Sequence, residues 1–311
     1  MSQPFVTALI DTYNHEAFIE KAIESVLQQD FPLADLEIIV VDDGSTDRTA
    51  EIVAFLDGDD WWFPSKLTAV SGALESNREV GVVGHGVYRI REGVALSPDI
   101  PKRCYKNFLR DEREALELSN LLSFLGTSRL TVRREVLRQA LPVADTLLAD
   151  LYLAVVATAI SGALILDQGL VNYRLHSANL YQFHEQDGVR MRQKLEGLRS
   201  FCRELPPRLR EKGMCKEAID VLTAPMRMDS ERLRLALGEG WSWETVRIER
   251  AAFRQAYDRA SPGYYLFHLA VLASALILPP RLFYRARHFY TERGLRRFRD
   301  FIGRAEPAES L

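Results

Sequence analysis

Leu36-Glu37-Ile38-Ile39-Val40-Val41-Asp42-Asp43-Gly44-Ser45-Thr46-Asp47, and after it Phe55-Leu56-Asp57-Gly58-Asp59-Asp60, decide the fold. Leu36 to Val41 is a short run rich in β-branched residues, the composition of a buried parallel strand. It ends abruptly in acids, with Gly44 free to make a tight turn and Ser45 to Asp47 able to cap a new helix. The second run repeats the pattern, since apolar Ile52 to Leu56 gives way to Asp57-Gly58-Asp59-Asp60.

Working outward, Phe5 to Ile10 is another apolar run, broken by Asp11-Thr12-Tyr13-Asn14. Asn14 is a good N-cap and Glu16 suits the positive end of a helix. Phe18, Ala22 and Val26 beside Ile19, Ile23 and Leu27 form an apolar stripe at helical spacing, which Phe31-Pro32 ends. Strand, helix, strand is a βαβ unit with an expected right-handed crossover. A brief helix over 47–51 then precedes the strand Ile52–Leu56, and Pro64 opens a helix with Leu67, Val70 and Leu74 on one side. Further on, Val80–Val83 and Gly126–Val132 read as strands, Glu112–Phe124 and Leu147–Ile160 as helices. Ala163–Leu166 and Leu170–Tyr173 read as short edge strands. Residues 185–260 read as helices broken at Pro206-Pro207 and at Pro225.

In an open α/β sheet, ligands bind at the carboxyl ends of the strands. Three polar clusters follow strands here: Thr12-Tyr13-Asn14, Asp42-Asp43-Gly44-Ser45 and Asp57-Gly58-Asp59-Asp60. Any one of them is ordinary turn chemistry. Together they set five Asp residues at one edge, and their repulsion asks for a cation. A hard divalent metal carrying a diphosphate fits such a site, because Mg²⁺ takes carboxylates together with phosphate oxygens.

These segments resemble family-2 glycosyltransferases over about residues 4 to 180. The likeness rests on Thr12-Tyr13-Asn14-His15, Glu37 through Asp47, and Phe55 through Trp62 with Pro64 and Lys66-Leu67 following. It continues in Ala149-Asp150-Leu151-Tyr152 and in Leu166-Asp167 through Tyr173-Arg174-Leu175-His176-Ser177. The resemblance implies an inverting enzyme with the GT-A fold, a Rossmann-like mixed sheet for nucleotide-diphospho-sugars, extended here by C-terminal helices. It implies Thr12, Tyr13 and Asn14 in the nucleotide pocket, Asp43 on the base and Asp57 in the ribose or metal region. Asp59 would ligate Mn²⁺ or Mg²⁺, with Asp60 as a substitute ligand, and Asp150 would act as general base. His176 has two readings of equal weight, a phosphate or metal contact and a hydrogen-bonded loop histidine. The implied partners are a nucleoside-diphosphate sugar, UDP-linked by preference, and a glycan or lipid-linked acceptor.

Three positions depart from the family pattern. Asp11 stands where the family usually has Pro, and Ala149 replaces the usual Glu before the base. Only nine residues lie between Asp47 and Asp57, where the family has several tens. A parallel crossover takes roughly a dozen residues or more. The short connection supports a second reading, a glycosyltransferase-like binding or scaffold protein with impaired catalysis. A nucleotidyltransferase ranks below both, because no Gly-rich phosphate loop with Lys or Arg stands near the N-terminus.

Residues 1–180 are thus expected to be catalytic, 181–260 a helical extension, and 261–311 a pair of apolar and basic helices. Tyr264 to Leu278 is apolar apart from His268 and Ser274, and at about 22 Å it is too short to cross a bilayer unaided. Eight arginines follow between Arg281 and Arg304, interleaved with aromatics. Residues 264–304 therefore suit an anionic membrane surface. Packing on the catalytic domain, or a homodimer contact, suits them about as well. The net charge of -3 argues against a nucleic-acid partner. Three scattered cysteines imply no disulfide framework, and the N-terminus lacks a signal-peptide pattern. The expected location is the cytoplasm, with the inner face of the membrane as a variant.

Overall fold

The computed structural model describes residues 6–12, 19–42, 52–144, 146, 148–176, 188–256 and 262–293. The brief helix expected at 47–51 lies outside them. The chain divides into two compact units, Met1–Gln182 with Arg203–Thr223, and Phe183–Cys202 with Ala224–Leu311.

The first unit is built on one mixed sheet. Its strands among the described residues are β1 (Val6–Thr12), β2 (Leu36–Asp42), β3 (Ile52–Asp57), β4 (Trp61–Trp62), β5 (Val82–Arg91), β6 (Val94–Ala95), β7 (Tyr105–Asn107), β8 (Thr131–Arg133) and β9 (Ala163–Leu175). The order is β2-β1-β3-β8-β5-β9-β4, with β6 on β5 and β7 on β9. β1 runs parallel to both β2 and β3 in registers that set Thr12 opposite Asp42 and Asp11 opposite Asp57. The acid-bearing ends of these strands therefore lie at one level on one edge.

Helices α1 (Ile19–Leu27), α2 (Lys66–Ser76), α3 (Glu112–Leu121), α4 (Arg134–Ala140) and α5 (Ala149–Ser161) belong to the same unit. Val6, Ala8, Ile10, Ala54 and Leu56 from the sheet pack with Ala22 and Val26 of α1 and with Leu67, Val70 and Leu74 of α2. Leu27 does not join them. It is 51% exposed, so the row Ile19-Ile23-Leu27 leaves the core after Ile23 while Val26 beside it stays buried.

The carboxyl half of the sheet differs from the sequence expectation in two places. Ala163–Leu166 and Leu170–Tyr173 are not two edge strands but one strand, β9, lying between β5 and β4. Asp167-Gln168 interrupts the apolar pattern because the register against β5 shifts there, from His85↔Leu166 to Gly86↔Gly169 and then Val87↔Val171. At Gly169 a Cβ would come within 2.5 Å of the Tyr88 ring, so the irregularity needs glycine. The stretch 126–132 is also not a single strand. Thr127–Arg129 forms a 3₁₀ turn and only Thr131–Arg133 pairs as β8.

Ten Cα steps lie between Asp42 and Ile52, a reach of at most roughly 33–36 Å. The registers on β1 put these two residues about 22 Å apart, from six residues of offset and two strand spacings.

The remaining helices are α6 (Gly188–Glu211), α7 (Lys216–Ala236), α8 (Ser242–Ala256), α9 (Pro262–Ile277) and α10 (Pro280–Arg293). Neither Pro206-Pro207 nor Pro225 breaks its helix, since α6 and α7 run through them. Leu205, Leu209 and Leu222, all fully buried, flank these prolines, and such packing outweighs the lost N–H donors. In the second unit Leu235, Ile248, Ala275, Phe283 and Tyr284 form the core. No described helix is long and apolar enough to cross a membrane.

Candidate active site

β3 ends at Asp57, and the chain turns at once. The Asp60 N–H donates to the Asp57 carbonyl at 3.0 Å, and the Gly58 N–H donates to the Asp11 carbonyl on the neighbouring strand, also at 3.0 Å. The turn brings one carboxylate oxygen each from Asp57, Asp59 and Asp60 within 4.8 Å of one another. Asp59 and Asp60 are buried, at 7% and 1% exposure.

The end of β9 closes over this turn. Arg174 donates its backbone N–H to Asp60 Oδ1 and its Nε–H to the Asp59 carbonyl, both at 2.9 Å. His176 Nε2 lies 2.9 Å from Asp59 Oδ2. Trp61 is held between cations, with Lys21 Nζ 3.8 Å and the Arg174 guanidinium 4.9 Å from its ring centre.

Charge in this pocket is poorly compensated. Burial, then the Asp59 carboxylate, push the Asp60 carboxyl up to about 7, against the opposing pull of the Ser128 hydroxyl, the Arg174 N–H and Arg129. Burial raises Asp57 well above the usual carboxylate range, and Asp60, Asp11, Asp59 and Asp150 each add to it. Asp60 Oδ2 is buried without a hydrogen-bond partner among the described residues. A cluster of hard oxygen donors with one unpartnered buried lone pair fits a small divalent cation.

A fully buried cation, Lys66 at the start of α2, feels the charge of Asp60 and Asp57. Its Nζ donates to the Ser128 carbonyl at 2.8 Å and lies 4.0 Å from the centre of the Trp62 ring. Burial holds this amine well below its ordinary range, while Asp60 and Asp57 pull it back up.

The 3₁₀ turn Thr127–Arg129 joins the carboxylate cluster to Asp150. It is hooked to β3 by the Phe55 N–H, which donates to the Leu130 carbonyl at 3.1 Å. Ser128 Oγ accepts from the Asp57 N–H at 3.0 Å and donates to Asp57 Oδ2 at 3.2 Å. One residue earlier, Thr127 donates to Asp150 Oδ2 through its N–H at 3.2 Å and its hydroxyl at 3.3 Å. Asp150 sits in the first turn of α5, where the Leu151 N–H donates to Oδ1 at 2.7 Å. Burial raises the Asp150 carboxyl, and these hydrogen bonds pull it down.

The structure thus brings Asp57, Asp59, Asp60 and His176 together, and Asp150 contributes to the charge that Asp57 feels. His176 stands beside the acid trio, bonded to Asp59, rather than within it. Thr12 ends β1 at the same edge. Tyr13, Asn14 and Asp43 lie outside the described residues. Sequence reading missed Thr127, Ser128 and Lys66 as participants. The signal available for the first two is the Gly126-Thr127-Ser128 step just before a strand, whose composition is continuous with that of the strand.

Residues 7–54 match the family model for glycosyl transferase family 2. The chain belongs to glycosyltransferase family 2. An uncharacterized glycosyltransferase, alr2836 of Nostoc sp., is 30% identical to this family-2 chain over an alignment of 216 residues that covers 56% of the chain and 66% of that protein. The poly(ribitol-phosphate) β-N-acetylglucosaminyltransferase TarS of Staphylococcus aureus is 45% identical over 71 residues, 23% of the chain. The match covers only 11% of TarS, so the chain spans a small part of that relative's length. Residues 1–349 of S. aureus TarS, solved in complex with UDP-GlcNAc, superpose with a TM-score of 0.50. That likeness covers 93% of this chain and 92% of that one at 13% identity. It is a likeness of fold, and the fold is the mixed α/β sheet of GT-A glycosyltransferases.

Proposed function

We propose that this chain transfers a sugar from a nucleoside-diphosphate sugar to a hydroxyl of a glycan or lipid-linked acceptor, with inversion. The carrying observation is the carboxylate trio of Asp57, Asp59 and Asp60, with its unpartnered Asp60 Oδ2, tied through one short turn to Asp150. Asp59 and Asp60 would hold Mn²⁺ or Mg²⁺, with Asp57 and His176 beside them. Such a cation, when bound, neutralises charge developing on the leaving diphosphate. A UDP-linked donor is favoured because the fold relative was solved with UDP-GlcNAc.

Asp150 takes the proton from the acceptor hydroxyl as that oxygen attacks the anomeric carbon. The bond from the anomeric carbon to the donor's phosphate oxygen breaks, and its electron pair leaves with the nucleoside diphosphate. One base and one in-line displacement give inversion. The hydrogen bonds from Thr127 and Leu151 aim the Asp150 carboxylate, and the raised affinity of the buried group for a proton makes it a stronger base than an exposed aspartate. Asp150→Asn tests this directly, with an expected loss of transfer of roughly 10²-fold or more and UDP binding unchanged. Transfer that survives the substitution removes Asp150 from this role.

The second reading is a nucleotide-sugar binding protein without turnover, motivated by the nine residues between Asp47 and Asp57. It predicts metal-dependent UDP binding with no release of UDP from any donor sugar. UDP release from one donor in a panel, abolished by Asp150→Asn, decides against it.

A further inference from the structure

α9 is apolar on both of its sides. Val271, Ala275 and Leu278 pack with Val246 and Ile248 of α8 and with Phe283 of α10, and His268 stacks on Phe253 at 3.8 Å. The opposite side carries Tyr265, Leu266, Leu269, Ala273, Leu276 and Ile277, all exposed, with Leu266 at 66% and Ile277 at 79%. At about 100° per residue these six fall within an arc of about 120° that holds no charged side chain. Soluble helices turn a polar face outward, and this one does not. At 16 residues it is about 24 Å long, too short to span a bilayer.

The chain around the carboxyl end of α9 has the composition of a membrane interface. Ser242 Oγ donates to the Leu278 carbonyl at 2.9 Å, which ties Trp241 and Trp243 to this corner. Both indoles are exposed, at 72% and 56%. α10 then begins with Arg281, Leu282 and Arg285 on the outside, and neither arginine has an acidic partner among the described residues. Together with Arg192, they line a cavity of about 180 Å³ with Tyr284 at its wall.

We propose that this corner is a docking surface for an anionic lipid bilayer. α9 lies in the plane of the membrane with its outer face among the acyl chains, Trp241 and Trp243 sit at headgroup depth, and Arg281 and Arg285 engage lipid phosphates. Charge complementarity selects this occupant over a second copy of the chain. An isologous contact through the same patch would set arginine against arginine. The inference stands on the second unit alone and is independent of the transferase reading.

Co-sedimentation of the full chain with vesicles tests it, using phosphatidylcholine alone or equal parts phosphatidylcholine and phosphatidylglycerol. The chain is expected to sediment with the phosphatidylglycerol vesicles and to be partly released at about 1 M salt, where charges are screened beyond about 3 Å. Arg281→Glu with Arg285→Glu should weaken that binding by roughly tenfold or more. Leu266→Asp with Ile277→Asp should abolish binding to the phosphatidylglycerol vesicles. Independently of any folding defect in these variants, brominated lipids should quench the tryptophan emission of the unaltered chain, and Trp241→Phe with Trp243→Phe should remove most of that quenching. The proposal is overturned if the unaltered chain stays in the supernatant with phosphatidylglycerol vesicles, or if the arginine pair makes no difference. It is equally overturned if light scattering shows a dimer that Leu266→Asp with Ile277→Asp dissociates while no vesicle is bound.

Discussion

Asp57 and Ser128 hold each other twice, the Asp57 N–H donating to the Ser128 hydroxyl at 3.0 Å and that hydroxyl donating to Asp57 Oδ2 at 3.2 Å. The next residue back, Thr127, holds Asp150. A single 3₁₀ turn therefore sets the spacing between the acid trio and the proposed base, with one hydroxyl bonded to Asp57 and the other to Asp150.

Thr127→Ala removes one of the hydrogen bonds that stabilise ionised Asp150 while keeping the backbone N–H. Those bonds lower the Asp150 pKa, so their loss raises it. The acidic limb of the kcat/KM profile is expected to move to higher pH, and kcat to fall, with the UDP affinity unchanged. A profile that keeps its acidic limb in place contradicts the assignment of Thr127.

The carboxyl of Asp60 gives a stability signature in metal-free protein. Its folded value, about 7, lies above the ordinary aspartate value of 3.8, so its protonated form favours the fold. This contribution is complete below the unfolded value and is lost as pH rises towards and through about 7. The Tm of chelator-treated protein is expected to fall between about pH 5 and pH 8, and added Mn²⁺ should restore it most at the alkaline end. Asp60→Asn should flatten the metal-free profile. A Tm that rises across the same window in chelator contradicts the account.

Lys66 is fully buried beneath the site, with its amine on the Ser128 carbonyl. Lys66→Ala empties the space of its stem and leaves that carbonyl unpartnered, at an expected cost of about 2–4 kcal/mol in chemical denaturation. Lys66→Met keeps most of the volume and should cost about half as much. Equal costs would mean that packing contributes nothing.

Gly169 and Tyr88 meet at the irregularity of β9, where a Cβ would lie 2.5 Å from the ring. Gly169→Ala should destabilise by about 1–3 kcal/mol. Adding Tyr88→Ala should recover part of that cost, so that the two changes couple in a double-mutant cycle. Strict additivity would show that the ring is not what excludes the side chain.

Much of this arrangement was legible in the residues. The runs before Asp11, Asp42 and Asp57 are strands because short, apolar, β-branched segments bounded by turn formers have few alternatives. Their parallel registers then force the acids to one edge. What escaped was set by tertiary contact. Gly126 to Val132 has strand-like composition, yet the side-chain demands of Asp57 and Asp150 bend its first half into a turn. β9 reads as two pieces because Asp167-Gln168 breaks its alternation at a shifted register. The prolines of α6 and α7 read as stops, because local propensity carries no information about the packing that keeps those helices whole.

A cation gripped by Asp59 and Asp60 and presenting a nucleoside diphosphate is the centre of the proposed site. Thermal melting with UDP, in Mn²⁺ or in chelator, tests this most directly. The unaltered chain should gain about 2.7 kcal/mol with UDP at roughly a hundred times its Kd, a rise of several degrees, only when Mn²⁺ is present. Asp59→Asn with Asp60→Asn should abolish the rise. An equal rise in chelator, or a full rise in the double variant, would contradict the claim.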